Sequence, residues 1–198
     1  MRHASAALVS LLMVLAACAA APSASEPASP GGQTPVASSS DAAPSVGSGT
    51  PREGLTSDPL HALVLIDVRT GGEFTIGQLA AEQPVLLETM AIWCTNCRGQ
   101  QRQVVDAHDL VAFHSISLDV DPNERPHDLA EYADREGFDW PFAVANADLA
   151  RQLRDRFGAA VLNPPSMPKI LFRTDGSVEL IGLGTQLNAA EVAAAVGG

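Results

Sequence analysis

One stretch of the pattern of hydrophobic and polar positions determines how the rest of the sequence is interpreted. Residues 85–93 form a run rich in aliphatic side chains, and a polar segment over residues 98–108 follows with the spacing of a helix. Cys94 and Cys97 stand at the junction between the two segments. The pattern therefore predicts a buried strand that delivers two cysteines to the N-terminus of a helix.

Short apolar segments bounded by turn residues predict further strands. A hairpin is expected over residues 62–79, with its turn at Gly71 and with Ile76 on its second strand. Four more strands are predicted at residues 110–118, 140–144, 170–173 and 178–181, the last two joined by an Asp-Gly turn. Because a strand, a helix and a strand follow one another over residues 85–118, we expect a right-handed crossover and parallel pairing.

Helical spacing predicts three further helices. Two of them, at residues 126–136 and 148–157, are each closed by a glycine. The last begins at Asn188, which is placed to form a capping box with Glu191. Strands that alternate with helices predict an α/β domain, and residues 58–198 are enough to bury its core.

A Cys-x-x-Cys pair at a helix N-terminus has a defined redox chemistry. The helix dipole and the unpaired N–H groups lower a thiol pKa from about 8.5 to roughly 3.5–7.5. We therefore expect Cys94 to be the attacking thiolate and Cys97 the resolving thiol, which breaks the mixed disulfide formed with a substrate. Two thiols on one helical turn can close into a disulfide and reopen, so the pair can cycle.

Two other roles for this pair remain open. A zinc site needs about four ligands, but residues 58–198 contain no third cysteine, and His108, His114 and His127 are scattered over different elements. A static disulfide is the second alternative, although a bridge across so short a loop removes little chain entropy. The redox hypothesis explains the position of the pair better than either.

The stretch VLLETMAIWCTNCR at residues 85–98 resembles the active-site strand and helix of the thioredoxin superfamily. Many members carry a buried carboxylate six residues before the first cysteine, and Glu88 holds that position. The resemblance implies that Glu88 manages the proton of the resolving thiol. The physical chemistry agrees, because desolvation in an apolar strand raises a carboxyl pKa towards neutrality. A solvated, edge-facing Glu88 is the alternative.

Three prolines precede the predicted strand at residues 170–173, and Pro168 is the last of them. In the superfamily a cis-proline at this place faces the two cysteines. The resemblance implies that the Met167–Pro168 bond is cis, that Met167 offers its backbone to an extended substrate segment, and that Trp93 also contacts substrate. A trans bond in an ordinary loop is the alternative.

The order of elements resembles the TlpA-like, or redoxin, branch of membrane-tethered thioredoxin relatives. This resemblance implies a thioredoxin-like fold, with a central mixed β-sheet flanked by helices. It also implies an N-terminal β-hairpin extension and a strand-helix insertion before the cis-proline loop. The residues between the cysteines, Thr95 and Asn96, differ from the Gly-Pro of thioredoxin itself, which leaves the direction of electron flow open.

The N-terminal segment predicts export from the cytoplasm and attachment to a membrane. Residues 1–17 have a positive start and a short apolar segment, and their junction with Cys18 resembles the lipobox of bacterial lipoprotein signals. The resemblance implies cleavage before Cys18 and a diacylglyceryl group on its sulfur, which anchors a protein to a membrane surface; a plain secretory signal is the alternative. Residues 18–57, mostly Ala, Ser, Pro, Gly and Thr, predict a disordered tether.

The charge and the cysteine usage limit the classes of partner and the compartment that the sequence predicts. Acidic residues outnumber Lys and Arg by 23 to 12, which argues against nucleic acid. One lipid-bearing cysteine and one pair fit an extracytoplasmic protein, lipid-anchored to a bacterial membrane. The predicted chemistry calls for no cofactor and no metal. The expected partners are protein thiol and disulfide substrates, the lipid bilayer through Cys18 and, by the TlpA-like resemblance, a membrane electron donor.

Three other functions are alternatives to disulfide exchange. Copper-delivery modules of the Sco type combine this fold with two cysteines, but their spacing is wider and they use a distant histidine that this chain lacks after His127. A non-catalytic interaction domain keeps the fold without redox activity. Peroxiredoxins place the reactive cysteine in a different local sequence. Disulfide exchange itself requires that both sulfurs be reachable from solvent and that Pro168 lie beside them.

Overall fold

The structure, a computed structural model, describes residues 58–198. The predicted signal segment, the predicted lipidation site at Cys18 and the predicted tether fall at residues 1–57 and so lie outside the described residues. No helix within residues 58–198 has the length and apolar character needed to cross a membrane.

An antiparallel hairpin lies near the start of the described region. Its strands are β1 (Val64–Ile66) and β2 (Glu73–Thr75). The predicted hairpin is confirmed, but the placement of Ile76 on its second strand is wrong. Ile76 is the first residue of helix α1 (Ile76–Ala80), because the Thr75 side chain accepts a backbone N–H of the first turn and so caps the helix.

A five-stranded mixed sheet forms the centre of the domain. Its strands are β3 (Val85–Met90), β4 (His114–Asp119), β5 (Phe142–Val144), β6 (Lys169–Phe172) and β7 (Val178–Gly182). They lie in the order β5-β4-β3-β6-β7. Strand β3 pairs in parallel with β4 and antiparallel with β6, so the predicted mixed sheet and the parallel pairing across the first crossover are confirmed.

Four longer helices cover the sheet. They are α2 (Thr95–His108), α3 (Pro126–Glu136), α4 (Ala147–Phe157) and α5 (Ala189–Gly197). The predicted bounds of α3 are confirmed, and so is the capping box between Asn188 and Glu191 at the start of α5. Helix α2 begins three residues earlier than its polar spacing predicts, because Cys94 itself caps it.

Strand β3 divides the core into two layers. All six of its residues are buried. Leu86 and Met90 belong to a hydrophobic cluster with residues of α2, α3 and α5, whereas Val85 and Leu87 belong to a cluster with residues of α1 and α4. Because successive side chains of a strand point to opposite faces, Glu88 lies on the same face as Leu86 and Met90. That face carries both cysteines.

Two strands begin later than the pattern predicts. Helix α2 is followed by a turn in which the N–H groups of Leu110 and Val111 both donate to the Ala107 carbonyl, so β4 starts only at His114. Trp140 precedes β5 rather than belonging to it, and its carbonyl accepts a hydrogen bond from the Arg69 guanidinium. Both differences arise from turn and side-chain contacts that hydrophobic periodicity does not encode.

The β6–β7 contact leads to a stability prediction. A Cβ at Gly182 would lie 2.7 Å from Lys169 Cε, and that side chain cannot move away because two carbonyl groups hold its ammonium. We expect Gly182→Ala to lower the free energy of unfolding by about 1–3 kcal/mol, as overpacking does. Urea denaturation measures this change.

The matched control is Gly99→Ala in α2. The nearest atom to a Cβ there is 3.6 Å away, and alanine is favoured over glycine in a helix by about 1 kcal/mol. We expect this variant to be as stable as the wild type or more so. Equal unfolding free energies for the two variants would contradict the packing argument.

Candidate redox site

The two cysteines meet where β3 passes into α2. The Cys94 N–H donates to the Ala91 carbonyl at 3.0 Å, which turns the chain sharply after the strand. Cys94 is the N-cap of α2, and its sulfur accepts the Cys97 N–H at 3.1 Å. A disulfide joins the two residues. The predicted position of Cys94 at the helix N-terminus is confirmed, and a thiolate there is stabilised by the helix dipole and by this N–H.

The disulfide is almost covered. Cys94 and Cys97 expose only 3% and 4% of their surfaces. Trp93, directly before them, is 57% exposed. A nucleophile therefore approaches the sulfurs through a small opening, and exchange with a bulky partner requires the surrounding segments to move.

The inner cysteine lies against the loop that precedes β6. The Cys97 sulfur is 3.1 Å from the Pro164 carbonyl oxygen, which can accept a hydrogen bond from the Cys97 thiol once the disulfide is reduced. Cys97 also lines one narrow cleft together with Glu88, Met167 and Pro168. The structure thus brings the predicted acid and the predicted proline to the cleft that Cys97 lines.

Glu88 is a buried acid. It is 5% exposed, as expected from its apolar strand. Burial raises the pKa of Glu88 to about 8, and the positive charge of Lys169 acts in the opposite direction. A carboxyl group with this pKa is mostly protonated at neutral pH, yet its carboxylate form is close enough in energy that it can both accept and return a proton.

Lys169 is a member of the site that the sequence analysis missed. It is fully buried and lies opposite Glu88 in the pairing of β3 with β6. Its ammonium donates to the Met167 carbonyl at 2.7 Å and to the Thr185 carbonyl at 2.9 Å. Burial lowers the pKa of Lys169, and Glu88 opposes this shift. The available signal was a lysine directly after Pro168 in an otherwise apolar strand.

The backbone N–H and the backbone carbonyl of Met167 both form hydrogen bonds within the domain. Its N–H donates to the Pro164 carbonyl at 2.8 Å, and its carbonyl accepts from Lys169. Met167 also has a positive φ of 45°. Pairing with an extended substrate therefore requires exchanging these bonds for intermolecular ones. The substrate contacts of Trp93, Met167 and Pro168 and the cis isomer of the Met167–Pro168 bond stay predictions.

Three carboxylates lie at the end of β4 and directly after it, and two of them hold the segment in front of Cys94. We call Asp119, Asp121 and Glu124 the carboxylate cluster. Glu124 accepts the Ile92 N–H through both oxygens, at 2.9 and 2.8 Å. Asp121 accepts the Trp93 indole N–H at 2.7 Å. Periodicity indicated only that the strand ends here, so this role was missed.

Asp119 is the buried member of the carboxylate cluster. It is fully buried, its Oδ1 accepts the Asp121 N–H at 2.9 Å, and its Oδ2 has no hydrogen-bond donor within residues 58–198. Burial raises the pKa of Asp119 to about 7, and the neighbouring carboxylates Glu124 and Asp121 add to the shift, whereas the Asp121 N–H opposes it. A second titratable acid therefore lies at the end of β4, opposite Met90 of β3.

Neither a family model nor a curated protein matches the sequence. Solved structures do match it. A thiol:disulfide interchange protein of the thioredoxin family from Chlorobium tepidum superposes with a TM-score of 0.55 at 18% identity, over 68% of this chain and 90% of that one. The domain has the thioredoxin fold.

Two further structures with the thioredoxin fold agree. The thioredoxin domain of a thiol-disulfide oxidoreductase from Bacteroides vulgatus gives a TM-score of 0.52 at 14% identity, over 68% of this chain and 90% of that one. A secreted disulfide oxidoreductase from Mycobacterium tuberculosis, homologous to E. coli DsbE, gives 0.50 at 15% identity, over 71% of this chain and 98% of that one. At these identities the likeness establishes the fold.

The burial of Glu88 predicts a pH-dependent stability. Its pKa rises from an ordinary 4.5 to about 8 on folding. A group whose folded pKa is raised stabilises the protein below its unfolded pKa, and this contribution is lost as the pH rises through the folded pKa. We expect the unfolding free energy of the wild type, relative to Glu88→Gln, to fall between about pH 5 and pH 8.5, as measured by urea denaturation.

Glu131→Gln on the exposed surface of α3 is the control, because Glu131 is largely solvated. Its difference from the wild type is expected to change over the same pH range by no more than about 0.5 kcal/mol, the contribution of an exposed pair such as the one it forms with His127. A difference between the wild type and Glu88→Gln that does not change with pH would show that Glu88 folds with an ordinary pKa.

Proposed function

We propose that this domain is a thiol-disulfide oxidoreductase that exchanges disulfides with protein substrates through Cys94 and Cys97. The observation that carries the proposal is the disulfide at the N-terminus of α2, with Glu88 and Pro168 in the cleft beside its inner sulfur. The similar structures are those of a thiol:disulfide interchange protein, a thiol-disulfide oxidoreductase and a disulfide oxidoreductase, which supports the same chemistry.

The reaction follows from the positions of the two sulfurs. In the reduced protein the Cys94 thiolate attacks one sulfur of a substrate disulfide, so that a mixed disulfide forms and one substrate thiolate leaves. Cys97 then attacks the Cys94 sulfur, which re-forms the Cys94–Cys97 disulfide and releases the second substrate thiolate. Two electrons have moved from the cysteine pair to the substrate, and a dithiol donor restores the reduced pair by the reverse steps.

Glu88 handles the proton of the second step. Cys97 must lose its proton to attack, and the Glu88 carboxylate is the buried base in the cleft that Cys97 lines. With a pKa of about 8, Glu88 is basic enough to accept that proton and acidic enough to return it when the pair is reduced again. Lys169 keeps the carboxylate form accessible by placing a positive charge beside it.

The cellular setting is the second part of the proposal. Residues 1–17 have the features of a lipoprotein signal, and the composition of residues 18–57 suits a flexible tether. We propose that the domain works outside the cytoplasm on a membrane surface, held by lipid on Cys18, and that a membrane protein supplies its electrons. A tethered domain of this kind reaches bulky or membrane-bound disulfide proteins.

The cysteine pair provides the first test. We expect Cys94→Ser to abolish the reduction of insulin disulfides, because the attacking sulfur is lost. Cys97→Ser is expected to retain the attack but to accumulate mixed disulfides with protein partners, detectable on non-reducing gels. Wild-type turnover by Cys94→Ser would exclude the proposed activity, and an inert wild type would favour a static disulfide.

Cys18 provides the second test. We expect Cys18→Ser to shift the full-length protein from the membrane fraction to the soluble extracytoplasmic fraction, because one acyl chain contributes about 0.8 kcal/mol per buried CH₂ to membrane binding. Fractionation followed by immunoblotting measures this. An unchanged membrane fraction would show that the lipid on Cys18 is not the anchor, and it would leave the exchange chemistry untouched.

A further inference from the structure

The segment that leads into Cys94 is held by a hydrogen bond to a side chain that follows another strand, β4. The backbone N–H of Ile92 is held by both oxygens of Glu124, and no such bond can come from the sheet because β3 ends at Met90. The Ile92 side chain packs against the cluster that contains both cysteines. Glu124 therefore fixes the backbone of the segment that leads directly into Cys94.

Glu124 in turn faces a buried oxygen that lacks a donor. Asp119 Oδ2 is buried and has no hydrogen-bond partner among the described residues. Asp119 Oδ1 accepts the Asp121 N–H and the Asp121 carbonyl accepts the Glu124 N–H, so the three residues lie in one turn, where the negative charges of Glu124 and Asp121 act on Asp119. Neighbouring carboxylates cannot both be ionised without strong repulsion. One proton between them satisfies the buried oxygen and leaves Glu124 in position to accept the Ile92 N–H.

We propose that Glu124 is a positioning residue, which fixes the backbone of Ile92 shortly before Cys94 while it shares one proton with Asp119, and which releases this segment when the proton is lost. This inference deepens the proposed function and rests on it, because it concerns access to the sulfur that substrates attack. Its expected consequence is that the disulfide becomes more reachable as the pH rises.

The surroundings of Asp119 support a transition near neutrality. Across the sheet it pairs with Met90 on β3 and Val144 on β5, neither of which titrates. The charged groups that face it are Asp121 and Glu124, both negative. Burial and these charges raise the pKa of Asp119 to about 7. Above that pH the second negative charge displaces Glu124, and the bond to Ile92 is lost.

Four variants of the protein test the steps of this inference one by one. Asp119→Asn keeps the shape, and its amide donates permanently to Glu124, so the segment stays fastened. Glu124→Gln still accepts the Ile92 N–H and removes the repulsion, so it behaves in the same way. Glu124→Ala removes the acceptor, so the segment is released at every pH. Glu131→Gln is the surface control and is expected to match the wild type.

The measurement is the rate at which dithiothreitol reduces the Cys94–Cys97 disulfide between about pH 5.5 and pH 8.5, followed by thiol alkylation and mass spectrometry. Dividing each rate by that of Asp119→Asn at the same pH cancels the titration of the reductant. We expect the wild-type ratio to rise from about one to about tenfold, since one hydrogen bond to a charged group is lost. Glu124→Ala is expected to show the higher rate throughout.

A wild-type ratio that stays flat across this range would overturn the inference. Equal rates for Glu124→Ala and Glu124→Gln would do the same, and circular dichroism confirms that each variant is folded. The assay uses no protein substrate, so its result is independent of insulin reduction. Failure of insulin reduction with the expected ratios would sink the proposed function alone, and normal insulin reduction with flat ratios would sink the inference alone.

Discussion

The bond from the Cys97 N–H to the Cys94 sulfur is the contact on which the site depends. It makes a sulfur, rather than an oxygen, the cap of α2. A capping group must carry negative charge or a lone pair, so the same bond that starts the helix favours the thiolate over the thiol. Folding of this junction and activation of the outer cysteine are therefore one event, driven by the buried strand that ends just before it.

Two buried acids surround that junction, and each has a different counterpart. Glu88 on β3 lies opposite the buried Lys169, whereas Asp119 on β4 lies beside the carboxylate of Glu124. The first pair joins opposite charges and the second joins like charges, so the charge of Lys169 lowers the pKa of Glu88, whereas the charge of Glu124 raises the pKa of Asp119. The inner sulfur is therefore coupled to the titration of Glu88, whereas the segment before Cys94 is coupled to the titration of Asp119 beside Glu124.

Local signals allowed much of the fold to be predicted from the sequence, and long-range contacts account for the rest. The glycine after α3 and the capping box at Asn188 act within a few residues, so their helices are bounded as expected. Lys169 is different, because its role depends on the register between β3 and β6. The bond from Ile92 to Glu124 spans 32 positions along the chain, and no periodicity encodes such a contact.

The two cysteines expose little surface, so disulfide exchange requires the segment that precedes Cys94 to move. A rigid cover over Cys94 would protect the disulfide from every nucleophile, and an open one would expose it to any thiol. A cover held by a few polar contacts, those of Glu124 and Asp121, lies between these limits, because such contacts exchange with water at small net cost. Access to the sulfur is then set by the carboxylate cluster, and reactivity by the cap of α2.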